Sequence, residues 1–163
     1  VNKIASKLNM DSVQLCSDES MSFCSEMVVP IYKVIGVNPD IPINSQLPRI
    51  MVIAQRHSMA GHRIVLDSKP TAQDFGGTGR KFDWEIASQL AEAFDIQLAG
   101  GLNPDNIAEA IKTVKPWGID TSSGIETDGK KDVGKVIAFI KNAQEADETA
   151  KVKGFRKVLR SLF

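Results

Sequence analysis

The chain has 163 residues, of which 20 are Lys or Arg and 20 are Asp or Glu, so its formal net charge is zero. That balance excludes a strongly basic nucleic-acid-binding domain, and the 42% hydrophobic and 25% charged residues are typical of one globular domain. No apolar run reaches the roughly 18 to 20 residues that span a bilayer, and no signal pattern opens the chain, so the sequence predicts a cytoplasmic protein without a membrane span.

Apolar runs rich in β-branched residues alternate with segments of helical periodicity along the chain. After a leading helix at residues 2–8, the pattern predicts five strands, at residues 12–15, 31–37, 63–66, 96–98 and 118–120. Five further helices are predicted at residues 20–27, 47–55, 84–94, 105–113 and 132–143. Asn103, which precedes Pro104, and Asp83 mark two of the predicted helix starts. This alternation indicates repeated βα units around a parallel sheet.

Five βα units are compatible with two architectures. A closed eight-unit barrel usually needs about 200 to 250 residues, so this chain would supply only part of one. An open doubly wound sheet would accommodate five strands more easily. The composition does not separate these two folds, and the loops after the strands are the next source of information.

The chain has two cysteines and two histidines. Two cysteines are too few for a disulfide framework, and no paired zinc-ligand spacing is present. We therefore expect Cys16 and Cys24 to be reduced thiols in the core, with no metal site and no cofactor.

Glycine-rich loops follow three neighbouring predicted strands. They contain Gly76-Gly77-Thr78-Gly79, Gly100-Gly101 and Ser122-Ser123-Gly124. Glycine lets a backbone approach an anion and present its N–H groups, which predicts a phosphate site, although each loop taken singly is also compatible with a tight turn or an N-cap. No nucleotide-phosphate motif is present, so nucleotide binding is the weaker interpretation.

Two aspartates lie at the carboxyl ends of predicted strands. Asp67 comes directly after the third strand, at the position from which barrel enzymes perform proton chemistry, and partial burial would raise its pKa. Asp120 ends the fifth strand. A capping role for Asp67, and a bond from Asp120 to its own turn, are the structural alternatives.

Five segments together carry a family resemblance: VQLCSDES (13–20), IVLDS (64–68), GGTGRKFDW (76–84), LAGGLNPDNI (98–107) and GIDTSSGIETDGKKD (118–132). In motif, order and spacing they resemble phosphoribosylanthranilate isomerase of tryptophan biosynthesis, over about residues 1–145. The resemblance implies a (β/α)8 TIM barrel of the phosphate-binding ribulose-phosphate type, represented here by about five units. It also implies an aldose–ketose isomerase that needs no cofactor and acts on a small phosphosugar by an Amadori rearrangement.

The resemblance also implies roles for individual residues. Asp67 matches the general acid, which protonates the furanose ring oxygen, and Asp120 matches an aspartate near the substrate. The phosphate-binding loops are matched by Gly100, Gly101, Ser122, Ser123 and Gly124.

The sequence departs from the family in three respects. No segment matches the first strand, which carries the K-x-C-G motif with the catalytic base, or the basic residue that binds the anthranilate carboxylate. Cys16-Ser17 stands where most relatives have His-Gly, so Cys16 is a substitution and not the base. We therefore expect the chain to lack roughly the first three βα units and to need an N-terminal complementing fragment or a homo-oligomer.

The last part of the chain is predicted to be separate from the barrel units at residues 1–145. Residues 146–163 form a basic tail whose apolar stripe indicates an amphipathic helix, packed on its own chain, on an oligomer partner or on an anionic surface. Two alternatives to the isomerase remain open. They are a non-catalytic phosphosugar-binding module derived from the barrel, and an isomerase of the histidine-pathway barrels, which is disfavoured because no internal repeat is seen.

Overall fold

The computed structural model describes residues 1–68 and 84–151. Five parallel strands form one sheet in the order β1-β2-β3-β4-β5, so each strand pairs with its neighbours along the chain. The strands are β1 (Val13–Leu15), β2 (Ile31–Val37), β3 (Arg63–Ser68), β4 (Ile96–Leu98) and β5 (Gly118–Ile119). The helices are α1 (Asn2–Lys7), α2 (Met21–Ser25), α3 (Ile43–Met59), α4 (Trp84–Ala93), α5 (Ile107–Val114) and α6 (Val133–Lys151). The predicted alternation of strands and helices and the parallel sheet are confirmed.

The hydrophobic core lies between one face of the sheet and helices α3 to α6. Buried and half-buried residues alternate along β2, as expected for a strand with one face against helices. Ile64 and Leu66 of β3 pack in this core with Leu90 of α4, Ile111 of α5 and Phe139 of α6. The helices therefore hold β3, β4 and β5 together from one side.

Helix α3 begins at Ile43, four residues before its predicted start. Pro48 lies inside the helix, where it removes one backbone hydrogen bond. Near the start of the helix, the Gln46 side chain accepts from the Asn38 N–H at 3.1 Å and donates to the carbonyls of Asn38 and Ile41 at 2.8 and 2.7 Å. Gln46 therefore ties the first turn of α3 to the loop that precedes it.

The predicted start of α5 is wrong by two residues. Asn103 Oδ1 accepts from the N–H groups of Asp105 and Asn106 at 2.9 and 3.1 Å, and the regular helix begins at Ile107. Asn103 therefore caps a turn that leads into the helix. The other predicted cap, Asp83, lies outside the described residues.

A short hairpin that the sequence analysis did not predict follows β5. A 3-10 turn, η1 (Ser123–Ile125), leads into β6 (Glu126–Thr127), which pairs antiparallel with β7 (Lys130–Lys131). Asp128 and Gly129 form its turn with φ of 51° and 72°, the geometry that favours Asp-Gly in two-residue hairpins.

Helix α6 runs to Lys151, past its predicted end at residue 143 and across the predicted boundary between residues 145 and 146. Ala143 and Ala146 are both buried in the core, which explains why the helix continues. The apolar stripe of the predicted tail, from Val152 onward, lies outside the described residues. No helix in the described part of the chain is both long enough and apolar enough to cross a membrane.

The expectation that both cysteines lie in the core is half wrong. Cys24 of α2 is buried beside Leu15 and Ile31, whereas Cys16, directly after β1, is exposed. Side chains alternate along a strand, so Cys16 follows buried Leu15 on the exposed side, where the Gln14 amide lies 3.7 Å from its Sγ. Both cysteines are free thiols.

A buried lysine on β2 forms an ion pair with the loop after β1. Lys33 of β2 is only 4% exposed, and its ammonium donates to the Ser17 carbonyl and to the Glu19 carboxylate. This pair fastens the loop after β1 to the second strand.

Candidate functional site at the carboxyl ends of β3, β4 and β5

The loops after β3, β4 and β5 all leave the sheet at the carboxyl ends of the strands, which lie on the same side in a parallel sheet. The Ala99 N–H donates to the Leu66 carbonyl at 2.8 Å, and the Asp120 N–H donates to the Leu98 carbonyl at 2.8 Å. These two bonds extend the sheet by one position and place Asp67, Ala99 and Asp120 side by side. Because Leu66 faces the helices, alternation directs Asp67 to the opposite face of the sheet.

Asp67 is a half-buried carboxyl group at the end of β3. Burial raises its pKa, hydrogen bonds from the Ser68 backbone and hydroxyl lower it in part, and the charge of Asp120 raises it further. The net pKa is above the ordinary value of an aspartic acid. A carboxyl group in this condition is suited to carry and donate a proton.

Gly100 brings the loop after β4 against Asp67. Its φ is 83°, and a Cβ at this position would lie 2.7 Å from the Ser68 nitrogen and 2.9 Å from Asp67 Oδ1. Gly101, with φ of 67°, continues the same turn. Only glycine combines this backbone conformation with so close an approach to the carboxylate.

Asn106 holds the glycine turn in place. Its side-chain amide donates to the Gly101 carbonyl at 2.9 Å, and its Oδ1 accepts from the Asn103 N–H at 2.9 Å. Asn106 is 6% exposed, and its hydrogen bonds to the loop satisfy this buried polar side chain. Asn106 was not among the predicted site residues, because its only sequence signal was a polar residue near a predicted helix start.

The loops after β4 and β5 are packed together through Leu102. Thr121 Oγ1 donates to the Leu102 carbonyl at 2.6 Å. A Cβ on Gly124 would lie 1.8 Å from that same carbonyl oxygen and 2.8 Å from its carbon. Gly124 is therefore required by the contact between the two loops, whether or not a ligand binds there.

A lysine adds positive charge to the loop after β5. Lys131 of β7 donates to the Ser122 carbonyl at 2.9 Å, to Ser122 Oγ at 3.2 Å and to the Glu126 carboxylate at 2.7 Å. Ser122 and Ser123 are exposed. Lys131 belongs to the motif at residues 118–132 but was not predicted as a site residue, because only the hairpin turn folds it back onto Ser122.

The structure brings the residues singled out from the sequence into one cluster. Asp67 lies against the Gly100 turn and in the field of Asp120, and the loop of Ser122, Ser123 and Gly124 packs on the residue that follows Gly101. The predicted Gly76–Gly79 loop lies outside the described residues. Chemically, the cluster combines a carboxyl group of raised pKa with two glycine loops and an ammonium group, an arrangement suited to proton donation beside an anion.

Metal-ligating side chains come together at the other edge of the sheet. Within residues 1–68 and 84–151, the one such cluster comprises Cys24, His57 and His62. The carboxyl-end site itself has aspartates but no histidine or thiol among the residues described above.

Comparisons with known proteins agree with the expected family. The family model for N-(5′-phosphoribosyl)anthranilate isomerase matches residues 1–142. The N-(5′-phosphoribosyl)anthranilate isomerase of Dehalococcoides mccartyi is 40% identical over 147 residues, which are 90% of this chain and 66% of that protein.

Two solved structures are also similar. The phosphoribosylanthranilate isomerase of Thermotoga maritima matches with a TM-score of 0.70 and 33% identity, covering 88% of this chain and 66% of that one. Another phosphoribosylanthranilate isomerase, solved in complex with reduced 1-(o-carboxyphenylamino)-1-deoxyribulose 5-phosphate, matches with a TM-score of 0.65 and 30% identity, covering 88% and 64%. These structures confirm a TIM-barrel-type α/β fold.

The chain spans slightly less than two thirds of the length of these relatives. The similarity nevertheless extends over nearly the whole of the chain itself, from the first residue to within α6. The chain therefore belongs to the N-(5′-phosphoribosyl)anthranilate isomerase family.

Proposed function

We propose that this chain forms the part of a phosphoribosylanthranilate isomerase that carries the general acid and binds the phosphate. The enzyme is an aldose–ketose isomerase of tryptophan biosynthesis that acts in the cytoplasm. The reaction converts N-(5′-phosphoribosyl)anthranilate to 1-(2-carboxyphenylamino)-1-deoxyribulose 5-phosphate. The observation that carries the proposal is Asp67: a half-buried carboxyl group of raised pKa, in contact with a glycine turn, at the carboxyl end of a barrel-type strand.

Asp67 acts as the general acid in this proposal. Its carboxyl proton goes to the ring oxygen of the furanose, the bond between that oxygen and C1 breaks, and the anthranilate nitrogen donates its electron pair to form a Schiff base. Asp120 supports this role because its charge helps to keep the proton on Asp67. Loss of the C2 proton then gives the enolamine that becomes the ketone. The proposal assigns the acid and the phosphate contacts, and it assigns no general base.

The phosphate binds in this proposal between the two glycine loops, as in a phosphate-binding barrel. Gly100, Gly101 and Gly124 allow the two loops to pack closely together, and backbone N–H groups and the exposed Ser122 and Ser123 hydroxyls supply donors at this end of the strands. The Lys131 ammonium, bonded to Ser122 and paired with the Glu126 carboxylate, is a further donor beside this loop.

The proposal includes association through the sheet edges. In the described residues, β1 pairs with β2 alone and β5 pairs with β4 alone, so each has one side open for another strand. Further barrel units or a second copy of the chain would cover these edges. Light scattering tests this point, and a monomer that stays soluble at high concentration would contradict it.

The decisive experiment measures turnover and ligand binding separately. Conversion of N-(5′-phosphoribosyl)anthranilate is followed for the wild-type chain, alone and with added barrel units, and for Asp67→Asn. Asp95→Asn is the matched control, since Asp95 is an exposed aspartate just before β4, at the opposite edge of the sheet. Binding of reduced 1-(o-carboxyphenylamino)-1-deoxyribulose 5-phosphate is measured by calorimetry on the same proteins.

We expect Asp67→Asn to reduce turnover by about 10² to 10⁴-fold, with analogue affinity nearly unchanged, because a proton donor acts in the transition state. Asp95→Asn should resemble wild type. Binding of the analogue without turnover in any combination would favour the non-catalytic phosphosugar module. Absence of binding would contradict both functions.

A further inference from the structure

Three potential metal ligands from separate segments meet at the amino ends of the strands, opposite to Asp67. Cys24 lies in α2, His57 in the last turn of α3, and His62 directly before β3. One ligand atom from each residue lies within 4.8 Å of the other two. The two Nδ1 atoms of the histidines are 2.9 Å apart. The chain has only two histidines, and both are in this cluster.

The end of α3 explains why the two histidines meet. The His62 N–H donates to the His57 carbonyl at 3.0 Å, the Gly61 N–H donates to the Ser58 carbonyl at 2.9 Å, and Gly61 has φ of 80°. This pair of bonds with a left-handed glycine is a Schellman motif, in which the side chains at the first and last of these positions come into contact. Those positions are His57 and His62, so the backbone arranges both imidazoles before any ion is bound.

The surroundings of the cluster suit a metal that prefers nitrogen and sulfur. Cys24 is 2% exposed and packs with Leu15 and Ile31, and His57 is 5% exposed. His62 is half-buried and gives an ion a path from solvent. Burial lowers the pKa of both histidines, and the charge of His62 lowers that of His57 further.

We propose that Cys24, His57 and His62 form a binding site for a transition-metal ion, with Zn²⁺ as the ion that this ligand set fits. One thiolate and two imidazoles are typical zinc ligands, and the absence of a carboxylate from the cluster disfavours Mg²⁺ and Ca²⁺. A water molecule would fill the fourth tetrahedral position.

The distances between the ligand atoms are close to those of a tetrahedral zinc site. Zinc at about 2.0 to 2.1 Å from nitrogen and about 2.3 Å from sulfur places tetrahedral ligands roughly 3.3 to 3.6 Å apart. The observed separations, from 2.9 Å between the imidazoles to at most 4.8 Å, bracket those values. On binding, the thiol loses its proton to solvent, and the proton shared between the imidazoles moves to an outer ring nitrogen. No electron transfer is involved.

The site is independent of the proposed isomerase. His62 precedes Asp67 by five residues of extended chain, which corresponds to roughly 16 Å along β3. Loss of the metal site would therefore leave the proposed acid and phosphate contacts in place, and the two proposals fail separately.

Cobalt and zinc provide the test. Untagged, reduced and chelator-treated protein is titrated with Co²⁺, and we expect one ion per chain, with a thiolate-to-cobalt charge-transfer band and the intense visible bands of tetrahedral cobalt. Excess Zn²⁺ should remove these bands and should raise the melting temperature. Cys24→Ser should abolish the charge-transfer band, and His62→Gln should weaken binding by at least about tenfold.

Cys16→Ser is the matched control, because Cys16 is the other thiol of the chain and is exposed. It should titrate like wild type. Circular dichroism verifies that each variant is folded, and His62→Gln keeps the test valid if the buried Cys24→Ser change unfolds the protein. The proposal is overturned if wild type shows no saturable cobalt spectrum, if His62→Gln binds like wild type, or if Cys16→Ser alone removes the charge-transfer band.

Discussion

Replacing Gly100 by alanine tests the contact that joins the loop after β4 to Asp67. Alanine at φ of 83° costs about 1 to 2 kcal/mol of backbone strain. The added Cβ would also lie 2.7 Å from the Ser68 nitrogen and 2.9 Å from Asp67 Oδ1, well inside normal contact distance. Overpacking of this kind costs about 1 to 3 kcal/mol, so the free energy of unfolding should fall by about 2 to 5 kcal/mol in all.

Gly129→Ala separates the two contributions. Gly129 also has a left-handed φ, 72°, but a Cβ there has no atom within 4 Å, so this variant should lose only about 1 to 2 kcal/mol. Urea unfolding followed by circular dichroism measures both variants, with tryptophan fluorescence as a second probe. Equal losses in the two variants would show that the close approach of Gly100 to Asp67 is not real, and the geometric basis of the proposed acid site would fall with it.

Three further changes test other contacts. Burial and the charge of Asp120 raise the pKa of Asp67, so ionisation of Asp67 destabilises the fold. In urea unfolding, Asp67→Asn should therefore be as stable as wild type near pH 3 and more stable than wild type as pH rises through the folded pKa. Burial raises the pKa of Glu19, but hydrogen bonds from Lys33 and the backbone outweigh burial, and the net pKa is lowered. The pair of Glu19 and Lys33 therefore stabilises the fold above the unfolded pKa of Glu19, and this stabilisation is lost as pH falls through the folded pKa. Glu19→Gln removes the charge that pairs with the buried Lys33 ammonium and should cost about 1 to 3 kcal/mol at pH 7, and a melting temperature unchanged from wild type would contradict this. Thr121→Val removes the 2.6 Å bond between the two loops and should cost about 1 kcal/mol by urea unfolding, with no loss if that bond is absent in solution.

The strands were predictable because each is a short apolar run between turn residues, a pattern that depends on nearby sequence alone. The bounds of α3 and α5 were less predictable, since they depend on where Gln46 and Asn103 find hydrogen-bond partners. The exposed position of Cys16 follows from which face of β1 is buried, and that is decided by the neighbouring strand and not by the thiol.

The site residues likewise divide into those with a local sequence signal and those identified only by contacts in the folded chain. An aspartate at a strand end and glycines after the next strands are visible in the sequence, so Asp67 and Gly100 could be named in advance. Asn106 and Lys131 were missed because their partners, the Gly101 carbonyl and Ser122, become neighbours only after the loops fold. The histidine pair was missed for a related reason: its signal is a helix-ending glycine before His62 and not a spacing between ligands.

The uneven length of the strand ladders has a consequence for how the molecule opens. β2 and β3 are paired over residues 32–37 and 63–68, whereas the ladder between β4 and β5 has two paired positions, Gly118 and Ile119, with one further bond on each side of them. Amide hydrogens in β2 and β3 should therefore exchange with solvent most slowly, and those of β5 should exchange through local fluctuations that leave the rest folded. Asp120 and the loop that follows it come directly after β5, the strand whose amide hydrogens we expect to exchange fastest. A ligand that bridges the two glycine loops would then slow exchange chiefly at β5, the part of the sheet with the fewest bonds of its own.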